Sequence, residues 1–394
     1  MNGIKSIRDL TVEGKRVWVR VDFNVPLDSH GNIADNTRIR AALPTINYLV
    51  EHGAKVVLAS HLGRPKGKCD KRYTLKLVAK ELATLCNQPV LFLDHCVGED
   101  INQSIAEMAN GSITLLENLR FMPQEEANDS EFSKQLAEQA DIYVNDAFGT
   151  AHRAHASTAG IAAFVRQKAM GFLIEKELEF LTQKIDNPER PFCVVLGGAK
   201  ISDKIGIVEA LSKKADTVLL GGGMSFTFAA AQGQAIGNSL LDPDYVELAK
   251  NLLKNHKNIQ LPVDSVATDR IDFKTGTLGA LQVVDGPIPD GWFGVDIGPK
   301  TIALYSDIIR KSKMVLWNGP VGIFEISETA KGGYALAQAL SECNGTTIVG
   351  GGDCIEAVRK SGYANSITFL STGGGATLQL LEGKPLPGLE ALKQ

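Results

Sequence analysis

No C-x-x-C pair occurs anywhere in this sequence, and its six cysteines (Cys69, Cys86, Cys96, Cys193, Cys343 and Cys354) fall at no spacing that holds zinc. They read as reduced, mostly buried thiols. An excess of charge is missing too. A formal net charge of -4 gives no general pull towards nucleic acid or anionic lipid, so any anion site must be a local gathering of Lys, Arg and backbone N–H groups. No apolar run is long enough to span a bilayer, and the opening MNGIKSIRDLTVEGKRV has no apolar h-region. A cytoplasmic protein with neither a membrane nor a nucleic-acid partner is expected. Neither G-x-x-x-x-G-K-S/T nor G-x-G-x-x-G is present, which excludes a Walker-type P-loop and a dinucleotide fingerprint.

What is present is glycine and arginine in particular places. With 394 residues the chain exceeds what one core usually supports, so two domains are expected. Its 44% hydrophobic and 22% charged residues are ordinary for a globular enzyme. The stretch ITFLSTGGGATLQLLEG reads as a strand over 367–370, a turn through Gly373, Gly374 and Gly375, and a helix over 376–381. Glycines at a helix entrance let the backbone approach a ligand, and the first-turn N–H groups make an anion site. One such turn serves equally well as a ligand-free connection. Two more triplets, at 221–223 and 350–352, follow apolar runs in the same half and move the reading to a phosphate-rich ligand.

The first half alternates strands at 16–21, 55–60, 90–93, 113–116 and 142–144 with helices over 39–49, 75–85 and 130–140, the first capped near Asn36-Thr37. This predicts right-handed βαβ units and a mostly parallel sheet. Asp22, Asn24, His61, Arg64, Arg120, His152 and Arg153 stand just after strands, with Arg38 in the early loop-to-helix region. Ligands in such sheets sit beyond the carboxyl ends of the strands, so four arginines and up to two histidines are expected at one edge. Arginine's rigid fork suits phosphate and carboxylate. His61 is preferred over His152 and His155 because it adjoins Arg64 in a glycine loop.

A helical segment at 171–181 followed by Asn187-Pro188-Glu189-Arg190-Pro191 marks the expected inter-domain connection, giving domains 1–170 and 171–384. The second half repeats the strand-then-motif plan with other residues. The run at 192–196 leads to Gly197-Gly198-Ala199-Lys200, with Lys204 one helical turn further on and both ammonium groups expected on one face. Trp292-Phe293-Gly294-Val295-Asp296 follows a Pro/Gly-rich loop, the run at 314–317 leads to Asn318 and on to Glu325, and 346–349 leads to Gly350-Gly351-Gly352-Asp353-Cys354. Asp353 is either a Mg²⁺ ligand beside nucleotide phosphates or the N-cap of a helix starting near Ile355.

The strings RVDFNVP, SHLGRP, LLENLRF, NDAFGTAHRAH, LGGAK with DKI, GGGMSFTF, LPVD, WNGPVGIFE, VGGGD and STGGGATLQLLEGK resemble, in order and over nearly the whole chain, the motif set of the phosphoglycerate kinase family. That resemblance implies two doubly wound, parallel-sheet (Rossmann-like) α/β domains joined by a helix and hinge, with the tail at 385–394 returning to the first. It implies a monomer that moves a phosphoryl group between the acyl phosphate of 1,3-bisphosphoglycerate and MgADP, in line after hinge closure, in glycolysis. It assigns the phosphoglycerate to Asp22, Phe23, Asn24, Arg38, His61, Leu62, Gly63, Arg64, Arg120 and Arg153. The nucleotide goes to Lys200, Lys204, Gly294, Asn318, Glu325, Gly351, Gly352, Asp353 and Cys354. The transferring phosphoryl group is then expected to be neutralised by Arg38, Lys200 and the amides at Gly373, Gly374 and Gly375, with Mg²⁺ on Asp353. Where the family often has Thr or Ser, this chain has Cys354, a weaker donor, so a side-chain contact to phosphate gives way to a backbone one. Two other classes fit the glycine turns: a non-catalytic nucleotide- or sugar-phosphate-binding protein, and an unrelated small-molecule kinase or doubly wound dehydrogenase.

Overall fold

Short apolar runs buried on both faces can satisfy their backbone only inside a sheet covered on both sides, and such runs build two sheets here. The structure is a computed structural model that describes residues 3–393. It contains two compact units, one running up to Glu179 and resuming at Lys384, the other Phe180–Gly383. Helix Phe172–Leu178 stays with the first unit, and an irregular π-helical turn, Glu179–Gln183, follows it. The division therefore falls about one helix later than residue 170.

The first unit has strands β1 (Arg16–Arg20), β2 (Lys55–Ala59), β3 (Val90–Leu93), β4 (Ile113–Leu116), β5 (Ile142–Asn145) and β6 (Gln167–Met170). All pair in parallel, in the order β3-β4-β2-β1-β5-β6. One layer of its core gathers Val17, Val19, Leu58, Val144 and helix residues Ile39, Ile46 and Leu82, all fully buried. Helix Thr37–Glu51 starts where expected, but Asn36 makes no side-chain cap bond; the Asp35 carboxylate accepts the Thr37 N–H at 2.6 Å. The tail closes on this unit. The Gly388 N–H donates to the Ala151 carbonyl at 2.8 Å, and Leu386, Leu389 and Leu392 are buried. Gln394, the last residue of the expected tail, lies outside the described residues.

The second unit carries β7 (Phe192–Leu196), β8 (Thr217–Leu220) and β9 (Ile259–Gln260), then β10 (Asp264–Thr268), β11 (Ile271–Asp272), β12 (Thr277–Leu278), β13 (Leu281–Asp285) and β14 (Phe293–Ile297), and finally β15 (Met314–Asn318), β16 (Thr346–Gly350) and β17 (Phe369–Ser371). The parallel sheet runs β17-β16-β15-β7-β8-β9. Between β9 and β15 the plan changes: β13-β10-β14 form a separate antiparallel sheet, and β11-β12 a small hairpin. The segment at 292–296 is thus a strand of that antiparallel sheet, not another strand-then-loop repeat of the parallel one. On the far side of β10, β13 alternates exposed and half-buried residues, as a strand with one wetted face does.

The tail's contribution is measurable. Leu392 is fully buried, so Leu392→Ala is expected to cost about 3 kcal/mol by losing apolar burial and leaving a cavity. Urea unfolding checks it, and an unchanged midpoint would show that the tail does not stabilise the unit it packs on.

Candidate active site

Strand register decides which loops share an edge. In the first unit Arg20 pairs with Ala59 on one side and Asn145 on the other, and Asn145 pairs with Met170. The residues that follow, Val21-Asp22, Ser60-His61, Asp146 and Gly171, therefore leave the sheet in one row, with Glu117-Asn118 beside them after β4. In the second unit Leu196 pairs with Leu220 and Asn318, Asn318 with Gly350, and Gly350 with Ser371. Five loops, each glycine-rich at its start, leave that edge together. Chain order reverses between β1 and β5 and between β7 and β15, the switch points where open sheets bind ligands.

The first edge is a basket of arginines around a histidine. His61 is 3% exposed. Burial, then the charges of Arg20, Arg120, Arg38 and Arg153, hold its pKa well below the usual value, so it is neutral at physiological pH. Arg38 is half-buried and donates to the Asp22 carboxylate. Arg120 is 3% exposed, and its Nη1 donates to the Gly63 carbonyl at 2.8 Å. Its Nε lies 3.3 Å from Glu126 Oε1 without the alignment of a hydrogen bond, and among the described residues Nε and Nη2 have no acceptor. Burial lowers its pKa to about 10, which leaves it cationic. A buried cation with unused donors is costly unless an anion supplies the lone pairs. Arg153 Nε donates to His152 Nε2 at 3.2 Å. Arg64 lies exposed, outside the group acting on His61.

Backbone and amide contacts hold the loops. Asn118 Oδ1 accepts from the N–H groups of Leu62 and Arg120, and Nδ2 donates to the Leu62 and Tyr73 carbonyls. Asn24 Oδ1 accepts from the Gly63 N–H at 2.8 Å, and the Phe23 N–H donates to Ser60 Oγ. Phe23 and Leu62 have buried side chains, so they position their loops from within the core. Asp146, fully buried, accepts from the Leu173 and Ile174 N–H groups and fastens helix Phe172–Leu178.

The second edge is built mainly from backbone. A cavity of about 520 Å³ is lined by Gly198, Gly222, Gly294, Val321, Phe324 and Glu325 among others, with Asp353 at its border. The glycines are there because nothing larger fits. A Cβ at Gly294 would lie 2.0 Å from Phe226 Cζ, and one at Gly197 would lie 2.2 Å from the Pro320 carbonyl oxygen. Gly351, at φ +91°, needs glycine for its backbone instead. Buried Asn318 accepts from the Lys204 ammonium through Oδ1, and among the described residues its Nδ2 has no acceptor. Lys200 and Lys204 do not share a helical face: residues 201–204 form a bend and turn, the helix starts at Ile205, and Lys200 is exposed. Helix Gly352–Lys360 begins earlier than expected, so Asp353 lies exposed in its first turn and is not its N-cap. The Cys354 thiol is packed in the core, and burial pushes its pKa up to about 12, leaving only its backbone for a ligand. Helix Gly375–Leu381 follows β17 through the glycine turn, as expected.

Sequence reasoning missed Arg20, Glu125 and Asp296. Arg20 is read as a strand residue, but an arginine deep in a strand covered on both faces must be buried and paired, which was the available signal. Asp296 lines the cavity and accepts from the Gly332 N–H at 2.7 Å and the Ile297 N–H at 2.9 Å. Nothing in the sequence pattern points to Glu125 or Asp296.

The family model for phosphoglycerate kinase matches residues 7–384. A curated protein named phosphoglycerate kinase, from Gloeothece citriformis, is 52% identical over 400 residues, covering 99% of each chain. The cytosolic phosphoglycerate kinase of Nicotiana tabacum is 48% identical over 396 residues, covering 99% of this chain and 98% of that one. The solved phosphoglycerate kinase of Coxiella burnetii superposes with a TM-score of 0.89 at 37% identity, over 99% of this chain and 98% of the other.

Burial raises the pKa of Asp296 to about 7. A carboxyl whose folded pKa lies above its unfolded one stabilises the fold at low pH and loses that contribution as pH rises through the folded value. The wild type is therefore expected to gain stability relative to Asp296→Asn as pH falls from about 8 to about 5. Melting temperatures of both proteins across that range check it; a constant difference would show that Asp296 does not titrate there.

Proposed function

Since this chain belongs to the phosphoglycerate kinase family, we propose that the unit with the arginine basket binds 3-phosphoglycerate or 1,3-bisphosphoglycerate, and that the unit with the glycine-walled cavity binds ADP or ATP with Mg²⁺. The enzyme catalyses reversible phosphoryl transfer from the acyl phosphate of 1,3-bisphosphoglycerate to ADP, a step of glycolysis. The observation that carries the basket assignment is Arg120, buried with Nε and Nη2 lacking acceptors. Asp22, Asn24, Arg38, His61, Gly63 and Arg153 complete that site; Phe23 and Leu62 support it from the core, and Arg64 reaches it from the exposed loop. For the nucleotide, the cavity beside Gly294 and Glu325 offers apolar walls to the base. Lys200, Lys204, Asn318 and the backbone of Gly351, Gly352 and Cys354 serve the phosphates.

Neither direction needs a general base. The attacking oxygen belongs to a phosphate of ADP or to a carboxylate, and both are anionic near neutral pH. The reaction needs in-line placement and neutralisation of charge on the moving group. Arg38, Lys200 and the amides of Gly373, Gly374 and Gly375 supply the neutralisation. The helix after them, Gly375–Leu381, is short, so the amides matter more than its dipole. Mg²⁺ enters with the nucleotide; a single exposed carboxylate, Asp353, suits an ion that takes most of its ligands from phosphate and water. Because the two ligands bind on separate units, transfer requires a closing motion that aligns them and excludes water from the acyl phosphate.

We further infer a cytoplasmic monomer without membrane or nucleic-acid partners. A relative named as cytosolic supports the location, and among the described residues no helix is long and apolar enough to cross a membrane.

Arg38→Ala is expected to lower kcat by about 10²–10³ while leaving nucleotide affinity nearly unchanged. Steady-state kinetics with nucleotide titrations measure both, and a near-wild-type kcat would refute the role. Solution scattering is expected to show compaction only when both substrates are bound; an unchanged radius of gyration with both sites saturated would count against closure.

A further inference from the structure

Three wholly buried polar residues stand behind the basket: Arg20, Glu125 and Ser157. Arg20 ends β1. Its Nε donates to Ser157 Oγ at 2.7 Å, its Nη1 donates to the Val21 carbonyl, and its Nη2 lies 3.1 Å from His61 Nδ1. Ser157 passes the chain on, donating its N–H to Glu125 Oε2 at 2.9 Å and its hydroxyl to Oε1 at 2.5 Å. The Tyr143 hydroxyl donates to the Ser157 carbonyl at 2.9 Å and fixes the loop.

The direction of each Arg20 contact is fixed by chemistry. A guanidinium has no acceptor, so in the contact with His61 the arginine donates and Nδ1 accepts. The ring proton must then sit on Nε2. Ser157 has one hydroxyl proton; with Glu125 taking it, the oxygen's lone pairs are free for Arg20. Burial raises the Glu125 pKa, and the Arg20 charge and the Ser157 hydrogen bonds oppose that rise; as a carboxylate it supplies, one hydroxyl away, the negative charge that a buried guanidinium requires. Of the charges that act on His61, Arg20, Arg120, Arg38 and Arg153 all oppose protonation. A second histidine shows the same polarity, since Arg153 Nε donates to His152 Nε2.

We propose that Glu125, Ser157 and Arg20 form a positioning relay that fixes His61 as its neutral Nε2–H tautomer, so that the ring offers a donor, and no lone pair, to the phosphoglycerate anion. The ligand half of this proposal rests on the basket binding phosphoglycerate. The opposite tautomer would turn a lone pair towards an oxyanion, and a protonated ring would turn an N–H against Arg20. Glu125 and Ser157 are positioning residues that act through Arg20.

Nitrogen-15 NMR of the full-length, ligand-free enzyme, with His61 assigned by a His61→Gln variant, tests the tautomer. An unprotonated Nδ1 and a protonated Nε2 are expected from about pH 6.5 to about 8. In Glu125→Gln only one oxygen remains to accept from Ser157, and in Ser157→Ala the link is removed without changing charge. Both variants are expected to populate the second tautomer and to raise KM for 3-phosphoglycerate about tenfold, the size of one weakened charge-assisted hydrogen bond, with KM for ATP unchanged. A wild-type ring protonated at Nδ1, or variants that melt normally and keep both the tautomer and KM, would overturn the relay. So would variants that raise both KM values alike, the mark of general loosening. Saturating 3-phosphoglycerate is expected to shift the His61 resonances of the wild type; unmoved resonances would overturn the ligand half alone, because the tautomer is read without ligand.

Discussion

Bringing four guanidinium groups around one imidazole is the constraint on which the first unit is built. Arg20, Arg38, Arg120 and Arg153 all act on His61, and like charges at such range repel. The fold offsets that repulsion from behind and from the sides: Glu125 answers Arg20 through Ser157, Asp22 answers Arg38, and Glu126 lies beside Arg120. The compensation is incomplete at Arg120, whose Nε and Nη2 have no acceptor among the described residues. A basket left short of negative charge is one that an anionic ligand completes. Keeping the imidazoles neutral serves the same end, because a protonated His61 or His155 would add to the repulsion. Burial and the neighbouring arginines hold His155 at about 4 and His61 well below its usual value.

The second unit solves its problem with main chain. Its parallel strands end in register at Leu220, Leu196, Asn318, Gly350 and Ser371, so five loops meet at one edge, and close backbone approach leaves no room for side chains at Gly197 and Gly222, while the Phe226 ring fills that space at Gly294. Amides pointing from such loops hold phosphate without the desolvation cost of buried ammonium groups. Lys204 shows that cost: burial lowers its pKa, and it leans on the neutral Asn318 carbonyl.

Much of this was legible in the sequence. Alternating apolar runs and helical periods announce two parallel sheets, and a polar residue at or just past a strand's carboxyl end is carried to one edge by the chain's geometry, as with Asp22, His61 and Asn318. The same logic fails where position depends on a partner distant in sequence. Glu125, in the short helix Pro123–Glu126, and Ser157, in a turn, acquire meaning only because Arg20, more than a hundred residues earlier, is buried against them. The pairing of Lys200 with Lys204 assumed helical spacing, which the turn at 201–204 removes. The antiparallel sheet of β10, β13 and β14 was missed because β14 is apolar enough to pass for another parallel strand, and β13 is too exposed to signal one.

The contrast between the two units follows from the ligands proposed for them. Phosphoglycerate is small, multiply anionic and almost without apolar surface, so its free energy of binding has to come from charge, and side-chain cations on rigid strand ends are the densest source of it. A nucleotide carries a base whose burial is favourable in itself, so in the proposed site a wall of Phe226, Val321 and Phe324 would provide affinity and the glycine loops need only orient the phosphates. That division explains why Cys354 is tolerated where a hydroxyl donor would seem natural. Its thiol belongs to the core beneath the loop, and the phosphate contact proposed at this turn falls to the backbone, which any residue with the same helical conformation provides.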